Sequence, residues 1–191
     1  MAPAAAPAVT RERLLEAAFT CVARHGLAKT TIDDIARAAG VSRPTIYRQF
    51  PGGREAVLRE VVAWEAARVF SEITRAVAGR TDLAELLEEL VAVAYRTVGS
   101  HSVLQKVLQT EPERLLPLLV TGVDRLIALM KPLLLLGMQR SQVRPGLDHD
   151  AAADYIARMV LSVVGAPGRW DLDDRASIRA FVDRELLAGL R

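Results

Sequence analysis

Apolar residues along this 191-residue chain recur at intervals of three and four, and runs that alternate apolar with polar are almost absent. A helix buries a stripe with a period of 3.6, a half-buried strand every second side chain, so the pattern selects helix nearly everywhere. There is no β-branched run bounded by hairpin turns. Composition agrees: 51% of residues are hydrophobic and only 5% aromatic, and the abundant Ala, Leu and Arg lose little on entering a helix. The expected fold class is all-α, with length enough to bury a core.

Punctuation divides the helices. Thr10 stands as an N-cap before "RERLLEAAFTCVARHG", whose Leu14, Leu15, Ala18, Phe19 and Val22 share one face, and Gly26 is placed to stop it. Thr30 and Thr31 precede "IDDIARAAG", with Asp33 and Asp34 in the first turn and Gly40 at the end. Ser42 heads a third short helix with Thr45 or Ile46, and Phe50, facing inward. Longer helices are expected over about 54–78, 82–99, 101–109, 113–136, 149–164 and 174–189. The predicted organisation is a disordered Ala/Pro lead-in over 1–9, a small helical domain over 10–53 and a larger one over 54–191.

Charge is uneven. The net charge is only +2, yet residues 1–60 hold nine Lys and Arg against six Asp and Glu, and the remainder sixteen against seventeen. Within the surplus, "GVSRPTIYRQFPGGR" carries Arg43, Arg48 and Arg54 and no acid. An ordinary solvated face mixes its signs, so a helix without acids suggests a counter-charge from outside.

The flanking pattern is that of a helix-turn-helix. Ala36 is small where two helices would cross, Gly40 suits the turn, and Ile35, Ala39, Val41 and Ile46 would lock the pair. The face left over holds Ser42, Arg43, Pro44, Thr45, Tyr47 and Arg48, which would lie in a DNA major groove. Arg43 can pair its fork with guanine O6 and N7, while Pro44 and Thr45 can meet a thymine methyl. Tyr47 and Arg48 suit phosphates, which position without reading sequence. Thr30 or Thr31 would offer a hydroxyl and backbone amides to a phosphate, and Arg54 would clamp another. A glycine-turned helix pair also occurs as plain architecture, and Pro44 equally suits the first helical turn for its own sake.

Other chemistries find little support. Cys21 is the sole cysteine, which excludes a disulfide framework and a thiolate metal cage and fits a reducing cytoplasm. His25, His101 and His149 are scattered without metal-ligand spacing, and no GxSxG, phosphate loop or GxGxxG occurs. Residues 1–9 lack a basic n-region. The most apolar stretch, 115–138, is interrupted by Asp124, Arg125, Lys131, Pro117 and Pro132 and reads as a buried helix, not a membrane span. No enzyme, metal or cofactor is expected.

"TTIDDIARAAGVSRPTIYRQFPGGREAVL" resembles the DNA-binding signature of the TetR family of transcriptional regulators. The likeness covers residues 10–60 and includes the aromatic pair Tyr47 and Phe50 and the pair Arg54 and Glu55. The chain departs from the family pattern at "FPGGRE", one residue longer than the usual linker. The resemblance implies an N-terminal three-helix helix-turn-helix domain followed by a larger domain that dimerises and encloses a small-molecule pocket. It implies a repressor bound to a palindromic double-stranded operator and released by an effector, which the apolar middle helices suggest is itself apolar.

Two C-terminal amphipathic helices would supply the dimer interface through Tyr155, Met159, Val163, Ile178, Phe181 and Val182, although the same residues suit a monomer's own core. The pocket candidates are Trp64, Tyr95, Leu104, Val123, Ile127 and Arg158, which suit core packing or surface equally. The rival reading is a helical module that sequesters a small molecule without specific DNA binding.

Overall fold

The computed structural model describes residues 10–190, so the expected lead-in over 1–9 lies outside the described residues. Within them the chain is all-helical: α1 (Arg11–Lys29), α2 (Ile32–Ala39), α3 (Arg43–Gln49), α4 (Gly53–Val77), α5 (Leu83–Ser100), α6 (Ser102–Thr110), α7 (Pro112–Gln139), α8 (His149–Gly165) and α9 (Arg175–Phe181). A π-helical turn, Val182–Leu186, follows α9 directly. By packing the chain divides into two units, one holding the residues to Glu65 together with Val103–Thr121, the other Ala66–Ser102 with Gly122–Arg191.

The first unit is built on α1. Thr10 caps it by accepting from the Arg13 amide, and one face of Leu14, Leu15, Ala18, Cys21 and Val22 is buried. That face meets Ile35 and Ala36 of α2, Ile46 and Phe50 of the α3 segment, and Val57, Leu58 and Val61 of α4. Between Thr45 and Ile46, it is Ile46 that points inward, with no exposed surface.

Gly26 breaks α1 as expected, at φ 80° and ψ 175°, and Leu27–Lys29 resume a short helical turn beyond it. A side chain would be strained there and would also displace a neighbour. The dihedrals belong to glycine, and a Cβ would collide with the carboxylate of Glu111. That carboxylate accepts from the Ala28 amide at 2.6 Å, while Lys106 Nζ donates to the Ala23 carbonyl at 2.9 Å. One donor and one acceptor of the broken helix are thus met by the segment 103–121.

The second unit buries Leu86, Leu87, Leu90 and Val91 of α5, Met130, Leu134 and Met138 of α7, and Ala153, Ile156, Ala157 and Val160 of α8. The last expected helix, 174–189, is instead α9 plus the π-helical turn, closed by the Leu187 amide donating to the Val182 carbonyl at 2.9 Å. The extra residue in that turn shifts the apolar stripe by one position, so Val182, Leu186, Leu187 and Leu190 are all buried. Trp170 covers Phe181 edge-on at 5.5 Å. On the rim, Glu89 receives Arg175 at 2.7 Å, Arg80 at 3.4 Å and Arg96 at 3.7 Å. Burial works against the Glu89 carboxylate, but the Arg175 hydrogen bond and the three cations outweigh it and hold its pKa below the ordinary glutamate value. Among the described residues no helix is long and apolar enough to cross a membrane.

Candidate nucleic-acid interface

The geometry of α2 and α3 follows from their caps. Thr31 accepts from the Asp34 amide, and Asp34 in turn accepts from the Thr31 amide and hydroxyl, a complete capping box. These bonds, the hydroxyl's first, hold the Asp34 carboxyl below the ordinary aspartate range, with Arg37 and His25 adding to them. Gly40 ends α2 in the left-handed region at φ 67°, where a side chain would be strained. The Val41 amide closes the turn onto the Ala36 carbonyl at 2.9 Å, and α3 starts two residues on. Ser42 precedes α3 without capping it through its side chain; its hydroxyl lies 3.0 Å from that of Thr45.

The outer face of α3 carries Ser42, Arg43, Pro44, Tyr47 and Arg48, all exposed, with Thr45 half-buried beside them. Tyr47 is 50% exposed. Its ring lies over Gly53, whose φ of 61° and missing side chain leave room for it. The longer "FPGGRE" linker thus serves as a tight turn that supports Tyr47 and starts α4 at Gly53. Among the described residues neither Tyr47 nor Arg48 makes a side-chain hydrogen bond or ion pair. Arg43 differs: Asp33 of α2 grips it through Oδ1 on Nε and Oδ2 on Nη2. The acid missing from α3 in sequence is partly present in space.

Two expected phosphate contacts are corrected. Thr30 is fully buried, and its hydroxyl donates to the Gly26 carbonyl at 2.7 Å. It closes the break in α1 and does not face solvent. Arg54 is turned inward as well: Nε donates to the Thr30 carbonyl at 2.7 Å, Nη2 to those of Leu27 at 2.5 Å and Ala28 at 3.0 Å, and Nη1 meets Glu55. A cation beside the loose carbonyls that end a helix satisfies them and suits its dipole. Every nitrogen that could hold a phosphate is engaged. Thr31 remains at the surface, with its hydroxyl committed to the cap.

Residues 14–61 match the family model described as bacterial regulatory proteins of the tetR family. The match takes in most of α1, all of α2 and α3 and the start of α4, the segment that holds the helix-turn-helix. Among curated proteins, an uncharacterised helix-turn-helix-type transcriptional regulator of Mycobacterium bovis is 37% identical over 109 residues, 53% of this chain and 56% of its own. The helix-turn-helix-type transcriptional repressor KstR2 of Rhodococcus jostii is 34% identical over 93 residues, 48% of this chain and 45% of its own. The chain thus spans about half the length of these curated relatives. The fold extends further. The TetR-family repressor AlkX of Dietzia superposes with a TM-score of 0.67 at 24% identity, covering 95% of this chain and 100% of that one.

The larger unit places its expected site residues differently from the sequence reading. Of the dimer candidates, Val163, Ile178, Phe181 and Val182 are at most 5% exposed and fill the unit's own core. That is a correction with a simple cause: the most apolar stripe of a helix is the one a single chain buries first. Tyr155 stays 46% exposed, its hydroxyl donating to the Glu185 carbonyl at 3.0 Å, and Met159 is half-buried.

The pocket candidates are divided between the two units. Trp64 and Leu104 pack in the first unit, with Phe19 against Trp64 at 6.3 Å. Tyr95, Val123 and Ile127 belong to the second unit's core, Ile127 being 3% exposed. Arg158 is corrected to the surface, where it pairs with Asp154 at 2.8 Å and Asp124 at 3.8 Å. One open cleft of the second unit, of about 700 Å³, is lined by other residues, polar Asp82, Arg140 and Arg144 facing apolar Leu83, Val143 and Leu187.

Sequence reasoning missed Asp33, Lys106 and Glu111. Asp33 was visible only as a helix-start acid, and Glu111 lies 83 residues from the amide it holds, a distance that no periodicity reports.

Proposed function

We propose that the protein is a sequence-specific DNA-binding regulator of transcription, acting as a repressor. The observation that carries the reading is the outer face of α3, with Arg43, Tyr47 and Arg48 exposed on a helix without acids, in a chain whose N-terminal domain is of the TetR family. Arg43 reads a guanine edge, Pro44 and Thr45 contact a neighbouring thymine, and Ser42, Tyr47, Arg48 and the exposed N-terminus of α2 at Thr31 hold phosphates. The repressor sign is supported by the name of the Rhodococcus relative.

The operator is a palindrome read by a homodimer, since one short reading helix carries little specificity and a two-fold pair doubles it. With the C-terminal stripe buried, the dimer surface we propose is the outer face of α7 and α8. It carries the exposed Leu129, Leu136 and Tyr155, and the two helices are tied together by Lys131–Asp150 at 2.6 Å and by Arg158–Asp124. A small apolar effector that binds the larger domain would release the operator by changing the separation of the two reading helices.

The test is selection of bound duplexes from a randomised pool at near-physiological salt. A palindrome with half-sites about one helical turn, ~34 Å, apart is expected. Recovery of unrelated sequences whose binding fades as salt rises would leave only charge attraction and refute the reading.

A further inference from the structure

The Asp33–Arg43 pair adds a residue to the reading surface that lies on the other helix. A guanidinium has two usable edges, one formed by Nε and a terminal nitrogen, the other by the two terminal nitrogens. Asp33 occupies the first edge with both carboxylate oxygens. The second edge keeps two parallel N–H donors, the fork that a guanine O6 and N7 accept. The pair is also open: the side chains are 42% and 64% exposed, so both reach the surface on which α3 would meet DNA.

Asp33 is free for this task. In the first turn of α2 it is Asp34 that completes the capping box and pairs with Arg37, and Asp33 takes no part in the cap. An acid at a DNA-facing surface repels phosphate and weakens binding to every sequence alike. Its presence beside the reading arginine is therefore a cost in general affinity, offset where a fixed guanidinium distinguishes one base from another.

We infer that Asp33 is a positioning residue for sequence recognition, which holds the Nε edge of Arg43 so that its outer edge is presented to a guanine. The inference rests on the DNA-reading function proposed above. It differs from that function in its consequence: removing Asp33 should move general and specific binding in opposite directions.

The experiment uses the full chain. Wild-type protein enriches a duplex from a randomised pool, and the base pair read by Arg43 is the one whose preference Arg43→Ala loses. Affinity is then measured by fluorescence anisotropy, at one salt concentration, for that duplex, its three variants at that pair and an unrelated duplex of equal length. Asp33→Ala should lower discrimination at that pair about tenfold, leave other positions unchanged, and bind the unrelated duplex as tightly as wild type or more tightly. Asp33→Asn, which keeps the shape but only one acceptor oxygen, should fall between and carries the test should the alanine variant fold poorly. Discrimination within twofold of wild type, or a loss of affinity equal on all duplexes, would overturn the inference while leaving DNA reading intact. Wild-type protein that enriches no sequence would remove DNA reading itself, and this inference with it.

Discussion

Arg54 separates two accounts of one residue. A phosphate clamp would contribute to DNA affinity and little to stability; a cap on the end of α1 would do the reverse. Arg54→Met keeps the aliphatic stem and removes every donor. The Ala28 carbonyl, whose bond is exposed, would turn to water at small cost. The Leu27 and Thr30 carbonyls make part-buried bonds and would lose their partner, at about 1–2 kcal/mol each, so the first unit should lose about 2–4 kcal/mol.

In urea, with a slope of about 2 kcal/mol per M, that moves the midpoint down by roughly 1–2 M. The two tryptophans allow the unit to be followed by itself, since Trp64 packs in the first core and Trp170 in the second. A Trp170→Phe background leaves Trp64 fluorescence as the reporter. Under conditions where the variant stays folded, the dependence of DNA affinity on salt should keep its slope. An unchanged midpoint with a slope reduced by about one phosphate contact would refute the capping role and restore the clamp.

Further outcomes follow from the same contacts. Because the folded Asp34 carboxyl titrates below its ordinary range, its contribution is present above the unfolded pKa and is lost as pH falls through the folded one; Asp34→Asn should flatten the acid limb of a stability–pH curve, and an unaltered limb would contradict the capping box. Phe181→Ala should cost about 3–5 kcal/mol and loosen the second unit, whereas a stable, folded monomer from this variant would return Phe181 to the dimer surface. Burial raises the Cys21 thiol pKa, with Asp34 adding to it, so native protein should resist alkylation until denaturant opens the first unit; rapid native labelling would contradict the packing of α1.

The helices and their ends were determined by the sequence itself. Period, cap and glycine are local properties, and Thr10, Thr31, Gly26 and Gly40 act within a few residues of where they stand. The exposed face of α3 was legible for the same reason, because Ile46 and Phe50 leave only one side outward. What tertiary structure decided was which partners those faces find. Arg54 and Thr30 look like DNA contacts until the broken end of α1 folds against them and takes up their donors. Ile178, Phe181 and Val182 read as a surface for a partner chain, yet the nearer surface wins because it is part of the same molecule. Asp33 and Arg43 are ten residues apart and on different helices. Their meeting depends on the angle of the α2–α3 turn, a three-dimensional fact that a one-dimensional pattern does not encode.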